Sequence, residues 1–259
     1  MKKLAGLIGM MAMGAAVAAL PETAFRKTPY VGAIAVDAQT GKVLFEDHAD
    51  VVARPASVTK LMTLLLVLED MHALKYDPTT RVTASVRCSQ EKPSVVGLKP
   101  GQSMTVDDLL LSIMVKSAND AAVALAENST AKNAGREIQP SDLQAFVVRM
   151  NNRAKQLGMA NTHYETPNGY PPKPGSKRPF DTSTCRDLVK LARKIVTMSE
   201  VFRFTKTKLC TVTDGAGQPL KMAQGGLIGF IDRLLEGRCS GRPGASTTCG
   251  TRSATSFPV

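Results

Sequence analysis

Ser57 and Lys60 stand three positions apart in Arg54-Pro-Ala-Ser-Val-Thr-Lys-Leu-Met-Thr63, at the start of a long apolar run. On a helix, residues three apart share a face, so the lysine nitrogen lies beside the serine hydroxyl. Burial disfavours a charged lysine, and a neutral amine can take the hydroxyl proton. The chemistry open to such a pair is that of a hydroxyl nucleophile beside its own base. The alternative at the same residues is an N-capping serine beside a lysine whose stem is buried and whose head reaches water. Further on, Ser117-Ala-Asn119-Asp120 supplies a second hydroxyl and a carboxamide. They fall in what reads as a short loop between two helices, the usual place for functional groups carried on a rigid scaffold. Ser117 could relay a proton between the lysine and a leaving group, and the Asn119 amide could orient a peptide bond. Lys116 and Asp120 read as surface or structural partners.

The Ser-x-x-Lys spacing is weak by itself, because Ser89-Gln-Glu-Lys92 and Ser129-Thr-Ala-Lys132 match it too. Both lie in polar stretches with no apolar run behind them, so neither is expected to offer a desolvated pocket. From Leu61 to Leu68 nearly every position is apolar. That helix should be buried on most sides and hold Ser57 rigidly at its mouth.

The elements around the pair follow from pattern and punctuation. Val31–Val36 and Val43–Phe45 flank Asp37-Ala-Gln-Thr-Gly41 and predict a β-hairpin. Thr105-Val-Asp-Asp108 resembles a capping box opening a helix over Leu109–Val115. Another helix is expected over Ala121–Ala126. A third runs over Ser141–Leu157, with Ser141 as its cap and Gly158 as its stop, and a fourth starts near Ser183 or Thr184. Thr166-Pro-Asn-Gly169 is a turn signal, and Pro171–Pro179 a surface loop.

Composition bounds the rest. With 259 residues, 43% of them hydrophobic, the chain can bury one sizeable core or two small ones. Lys2 and Lys3, the apolar stretch Leu4–Val17 and the small-x-small Ala16-Val-Ala18 predict a cleavable export signal over residues 1–18, the alternative being an uncleaved N-terminal anchor. No later segment reaches the roughly 20 apolar residues of a membrane span. An exported, extracytoplasmic protein follows, and its formal charge of +11 then suits an anionic wall polymer or membrane better than nucleic acid. His48, His72 and His163 are widely spaced and predict no metal site. Five cysteines are an odd number without Cys-x-x-Cys spacing, so at most some of them pair, and spacing does not choose which.

Taken together, these residues resemble the serine D-Ala-D-Ala carboxypeptidases, the low-molecular-weight penicillin-binding proteins. The segments that carry the resemblance are Pro55–Thr63, Gly101–Leu110, Ser117-Ala-Asn-Asp-Ala-Ala122, Met150-Asn151, Leu157–His163 and Asn168-Gly169. Ser-x-x-Lys with a Ser-x-Asn element belongs to the signature of this superfamily. The Ser-Ala-Asn-Asp-Ala-Ala run points to the carboxypeptidases rather than to class A β-lactamases. The resemblance implies Ser57 as acylated nucleophile, Lys60 as its base, Ser117 as proton relay and Asn119 as a ligand of the substrate peptide. It implies peptidoglycan stem peptides as substrate, β-lactam antibiotics as covalent inhibitors, and no cofactor. The fold it implies is α/β of the α+β type: an antiparallel sheet flanked by helices plus an all-helical lobe, with the Ser57 cleft between them.

One element of the family pattern is missing. No Lys-Thr-Gly occurs in the chain, and Lys206-Thr207-Lys208 lacks the glycine that lets a substrate approach a strand. Near the expected place stands Glu236-Gly-Arg-Cys-Ser-Gly241, and no lysine follows Lys221. Residues 19–232 are therefore expected to form an incomplete catalytic domain. Residues 233–259, rich in Gly, Ser, Thr and Arg, are expected to be an anomalous disordered tail, either natural or the product of a shifted or truncated frame. Two alternatives to a carboxypeptidase stay open: a D,D-endopeptidase with the same residues, and a non-catalytic wall-binding protein or inactive truncated product.

Overall fold

The computed structural model describes residues 30–73, 75–223 and, for the backbone, 249–252. The expected signal over residues 1–18 and nearly all of the 233–259 stretch lie outside them. The hairpin forms as its sequence predicts. Strand β1 (Gly32–Val36) pairs antiparallel with β2 (Val43–Asp47). Its turn is tied by the Asp37 carboxylate, which accepts from Thr40 N at 2.6 Å, and by Gly41, whose φ of 77° a side chain would resist. On the other side of β1 runs a short parallel strand, Cys249–Arg252, numbered β7 below. These four residues depart from the expectation of a structureless tail, and they make this sheet mixed rather than purely antiparallel. Helix α6 (Cys185–Ile195) covers it, with Ile34, Val36, Ala49, Cys185 and Val189 forming a small separate core.

The main core is helical. Between β2 and α6 come α1 (Lys60–His72), β3 (Arg81–Thr83), α2 (Val86–Ser89), β4 (Ser103–Thr105), α3 (Val106–Val115), α4 (Asn119–Asn133) and α5 (Asp142–Gln156). After α6 follow α7 (Val201–Thr205), β5 (Leu209–Thr213) and β6 (Pro219–Ala223). The pairs β3–β4 and β5–β6 each make a two-stranded antiparallel sheet. Thr105 caps α3 by accepting from Asp108 N at 3.1 Å, and Thr184 caps α6 through Asp187 N at 3.1 Å, as their sequences predict.

Two helices differ from expectation for reasons local pattern does not carry. Ser141 sits at the N-cap of α5 but makes no capping bond. Asp142, the first residue of the helix, instead ties the turn that precedes it, accepting from Gln139 N at 2.6 Å and from both arms of Arg136. Helix α4 runs to Asn133, seven residues past the predicted Ala126, and is buried from Asn119 through Ala131. Its polar second half is tolerated inside because each group is bonded. Glu127 accepts from Ser85 Oγ at 2.6 Å, Asn128 donates to Thr83 O at 3.2 Å, and Ser129 donates to Asp70. Helix α1 is buried over most of its length, as the run Leu61–Leu68 predicts.

Candidate active site

Ser57 occupies a 3-10 turn, Ala56–Thr59, that leads directly into α1. Neither this turn nor α1 has a side-chain cap, so the Ser57 hydroxyl is not consumed by helix capping. Lys60, the first residue of α1, is 0% exposed, and its head does not reach water. Its Nζ donates to Ser57 Oγ at 3.1 Å and to the carbonyl oxygen of Asn168 at 2.8 Å. Burial lowers the ammonium pKa from 10.5 to about 7, against the opposing pull of Glu91 and Asp181. A neutral amine is thus accessible near neutral pH beside a partly exposed hydroxyl.

The backbone that receives Lys60 is itself clamped. Asp181, 4% exposed, accepts from Glu165 N at 2.8 Å, Thr166 N at 3.0 Å and Thr166 Oγ1 at 2.9 Å. Thr63 Oγ1 on α1 donates to Pro167 O at 2.6 Å. Gly169, with φ of 76°, lies so close beneath the serine turn that a Cβ would stand 1.8 Å from Ala56 O. The Thr166–Gly169 turn, which reads in sequence only as punctuation, is thus the floor of the site. The strand-like pairing of Ala53 with Ser183 holds the entry to the serine turn against the start of α6.

Ser117 lies in the break between α3 and α4 with φ of 58°, a backbone region that disfavours side chains and often marks function. Its hydroxyl makes no hydrogen bond among the described residues, and none joins it to Ser57 or Lys60. Asn119 is the first residue of α4 rather than a loop residue. Its Nδ2 donates to Lys92 O at 2.7 Å and its backbone N–H to Ser94 O at 2.7 Å. Asp120 accepts from the backbone N–H groups of Val96, Gly97 and Leu98 and so fixes the same segment, the structural part its sequence suggests.

Segment 91–94 therefore bridges the two halves of the site. Glu91 Oε2 accepts from Asn168 Nδ2 at 2.9 Å, and the next residue binds Asn119. A path of direct contacts runs Ser57, Lys60, Asn168, Glu91, Lys92, Asn119. The sequence does not single out Glu91, Asn168 or Asp181 as site residues; only the placement of Asn168-Gly169 in a turn hints at one of them. The Ser89–Lys92 match thus contributes its third residue and a carbonyl, while Ser89 Oγ donates to Val86 O at 2.8 Å. The Ser129–Lys132 match lies on a buried helix, contrary to expectation, but its serine is taken up by Asp70 and Arg149.

The histidines sit on the surface beside acids: His48 with Asp47, His72 with Glu200, His163 with Glu165. Among the described residues no group of His, Cys, Asp or Glu could hold a metal ion. Cys185 is disulfide-bonded, and Cys88 and Cys210 are free. Lys206-Thr207-Lys208 leads from α7 into β5, whose sheet is separate from that of β1. Glu236–Gly241 lies outside the described residues.

Comparison with known proteins meets this geometry from the other side. Residues 27–234 match the family described as Peptidase S11, D-alanyl-D-alanine carboxypeptidase. The chain is 30% identical over 206 residues to the D-alanyl-D-alanine carboxypeptidase DacF of Bacillus subtilis, covering 78% of this chain and 49% of that protein. It is 34% identical over 159 residues to a D-alanyl-D-alanine endopeptidase of Pseudomonas aeruginosa, covering 61% and 45%. The chain thus spans about half the length of the curated relatives it matches. Among solved structures, the D-alanyl-D-alanine carboxypeptidase of Mycobacterium tuberculosis H37Rv is similar with a TM-score of 0.64 and 29% identity, covering 82% of this chain and 70% of that one. Penicillin-binding protein D2 of Listeria monocytogenes in its ampicillin-bound form is similar at 0.56 and 28%, covering 75% and 72%. With its fold in the class of these penicillin-binding proteins, the chain belongs to the D-alanyl-D-alanine carboxypeptidase family, Peptidase S11.

Proposed function

We propose that this chain carries out serine acyl transfer on the D-Ala-D-Ala end of peptidoglycan stem peptides, as a D,D-carboxypeptidase of the cell envelope. The observation that carries the proposal is the buried Lys60 amine 3.1 Å from Ser57 Oγ. With Lys60 neutral, the direction of that hydrogen bond reverses and the hydroxyl donates to Nζ. As Oγ bonds to the carbonyl carbon of the penultimate D-Ala, Nζ takes the proton. Collapse of the tetrahedral intermediate breaks the carbon–nitrogen bond, and the proton passes from Lys60, by way of Ser117, to the departing D-Ala amine. Water then resolves the ester by the same route in reverse. Asn119, at the N-terminus of a rigid buried helix, orients the peptide, and the Ser57 backbone N–H serves as one oxyanion donor. β-Lactams imitate the dipeptide and trap Ser57.

The absent Lys-Thr-Gly bears on rate. That element would supply a carboxylate anchor and a second oxyanion donor, and losing one such donor costs about 10²–10³ in rate. The endopeptidase relative keeps a second reading open: the same acyl transfer on a cross-link between two stem peptides. Incubating the protein with a diacyl-D-Ala-D-Ala peptide and, separately, with cross-linked muropeptides tests both. Release of D-Ala from the first, lost in Ser57→Ala, supports the carboxypeptidase. Cleavage of the cross-link alone supports the endopeptidase. A folded protein that acts on neither contradicts both enzymatic readings and leaves the non-catalytic one.

A further inference from the structure

We infer that Glu91 is a positioning residue of the site, holding the Asn168 carbonyl against Lys60 and setting the charge field in which the Lys60 amine works. This rests on the acyl-transfer proposal above and adds a residue to it. Glu91 follows α2 in sequence, yet its carboxylate turns inward, half-buried, and receives Asn168 Nδ2 at 2.9 Å. The carbonyl of that same Asn168 is one of two acceptors of Lys60 Nζ, at 2.8 Å, the other being Ser57 Oγ at 3.1 Å. Asn168 is 3% exposed, and its own Oδ1 is occupied by Tyr170 N at 2.9 Å. Both polar atoms of its carboxamide are therefore held, and its carbonyl has little freedom to follow Lys60 if the amine moves.

The charges around this relay come from four parts of the chain. Lys60 faces Glu91 and Asp181. Glu91 faces Lys60, Asp120 at the start of α4, and Arg178 of the 171–180 loop. Asp181 is committed to three donors of the 165–166 backbone and side chain, and Asp120 to the 96–98 backbone. Glu91 is the carboxylate of the set whose bond leads straight to a ligand of the lysine. Burial holds the Glu91 carboxyl above the usual carboxylate range; once ionised, the anion favours the ammonium, so Glu91 then opposes the burial that frees the amine. The trade is orientation gained against some loss of base at low pH.

The test compares wild type, Glu91→Gln and Glu91→Ala in the full chain. Glutamine keeps an acceptor for Asn168 Nδ2 but removes the charge; alanine removes both. The first readout is the titration of Lys60 by NMR with lysine labelled at Cε, its signal assigned by its loss in Lys60→Met; this needs no activity. Glu91→Gln should lower the Lys60 midpoint by roughly half a unit or more, since opposite charges at 4–6 Å shift a pKa by about 1–3 units and Glu91 acts through one intervening residue. The second readout is the acylation rate by a fluorescent penicillin against pH. Its rising limb should move to lower pH by the same interval in Glu91→Gln, with the high-pH plateau kept within about twofold, while Glu91→Ala should lower the plateau about tenfold through the loosened carbonyl. A Lys60 midpoint unmoved in Glu91→Gln overturns the inference, even if both variants lose stability. Failure of the wild type to acylate, with the Lys60 shift still present, would count against the acyl-transfer proposal and leave the assignment of Glu91 standing.

Discussion

Two stretches of this chain have the same Ser-x-x-Lys spacing on helices that are both deeply buried, yet they differ in which member of the pair meets water. At the mouth of α1, Ser57 is partly exposed and Lys60 is 0% exposed. On α4 the order is inverted: Ser129 is 1% exposed and Lys132 lies at the surface. The serine of α4 is bonded to Asp70 and to Arg149, so it is a structural link between α1, α4 and α5. Only the first arrangement leaves a reachable hydroxyl beside a desolvated amine. Spacing brings the two groups to one face; burial of the base decides whether they do chemistry.

The sharpest way to break the comparison is to remove one member at each place. Ser57→Ala and Lys60→Met should each lower the rate of β-lactam acylation by at least about 10³-fold, measured as adduct formed per minute. Ser129→Ala and Lys132→Ala should leave that rate at the wild-type value.

Next in size is the response to pH. With the Lys60 pKa lowered from 10.5 to about 7, acylation should rise about tenfold per pH unit below neutrality and level off above it. Stability carries the opposite face of this shift. Holding the amine inside costs the fold most below the folded pKa, and that cost fades as pH rises toward the unfolded value, so the Lys60 contribution grows more favourable with pH over that interval. Denaturant midpoints of wild type and Lys60→Met at pH 6 and pH 9 should therefore converge at the higher pH. A gap independent of pH would contradict a buried, titrating amine.

A smaller effect separates positioning from chemistry. Gly169→Ala would press a methyl carbon to 1.8 Å from Ala56 O. The serine turn must shift, and acylation should fall roughly 10–10²-fold with both Ser57 and Lys60 intact. The converse holds on α4: Ser129→Ala should cost about 1–3 kcal/mol in a denaturation curve, because buried groups of Asp70 and Arg149 lose a partner, with acylation per folded molecule unchanged. Least affected should be Lys132→Met, within about 0.5 kcal/mol of wild type.

What the sequence discloses divides along the same line. The Ser57–Lys60 pair, the β1–β2 hairpin, the apolar α1 and the caps Thr105 and Thr184 are local in sequence, and each is found where its pattern predicts. Helix α4 is underread because burial there depends on partners far away: Asp70 for Ser129, Ser85 for Glu127, Thr83 for Asn128. Its polar second half has no periodicity to announce a buried helix. Glu91 and Asn168 escape notice for the same reason. They lie 77 positions apart, and neither stands in a motif that demands a carboxylate or a carbonyl. Ser141 shows the reverse error: a good capping residue stands at the N-cap position and makes no capping bond.

The central claim is that Ser57, beside a buried Lys60, is an acylated nucleophile, and the most direct measurement is the intact mass of the purified protein with and without ampicillin. A mass increase of one intact ampicillin per chain, mapped to the peptide containing Ser57 and absent from Ser57→Ala, is the predicted result. A folded wild-type protein that gains no mass, or an adduct that persists in Ser57→Ala, would contradict it.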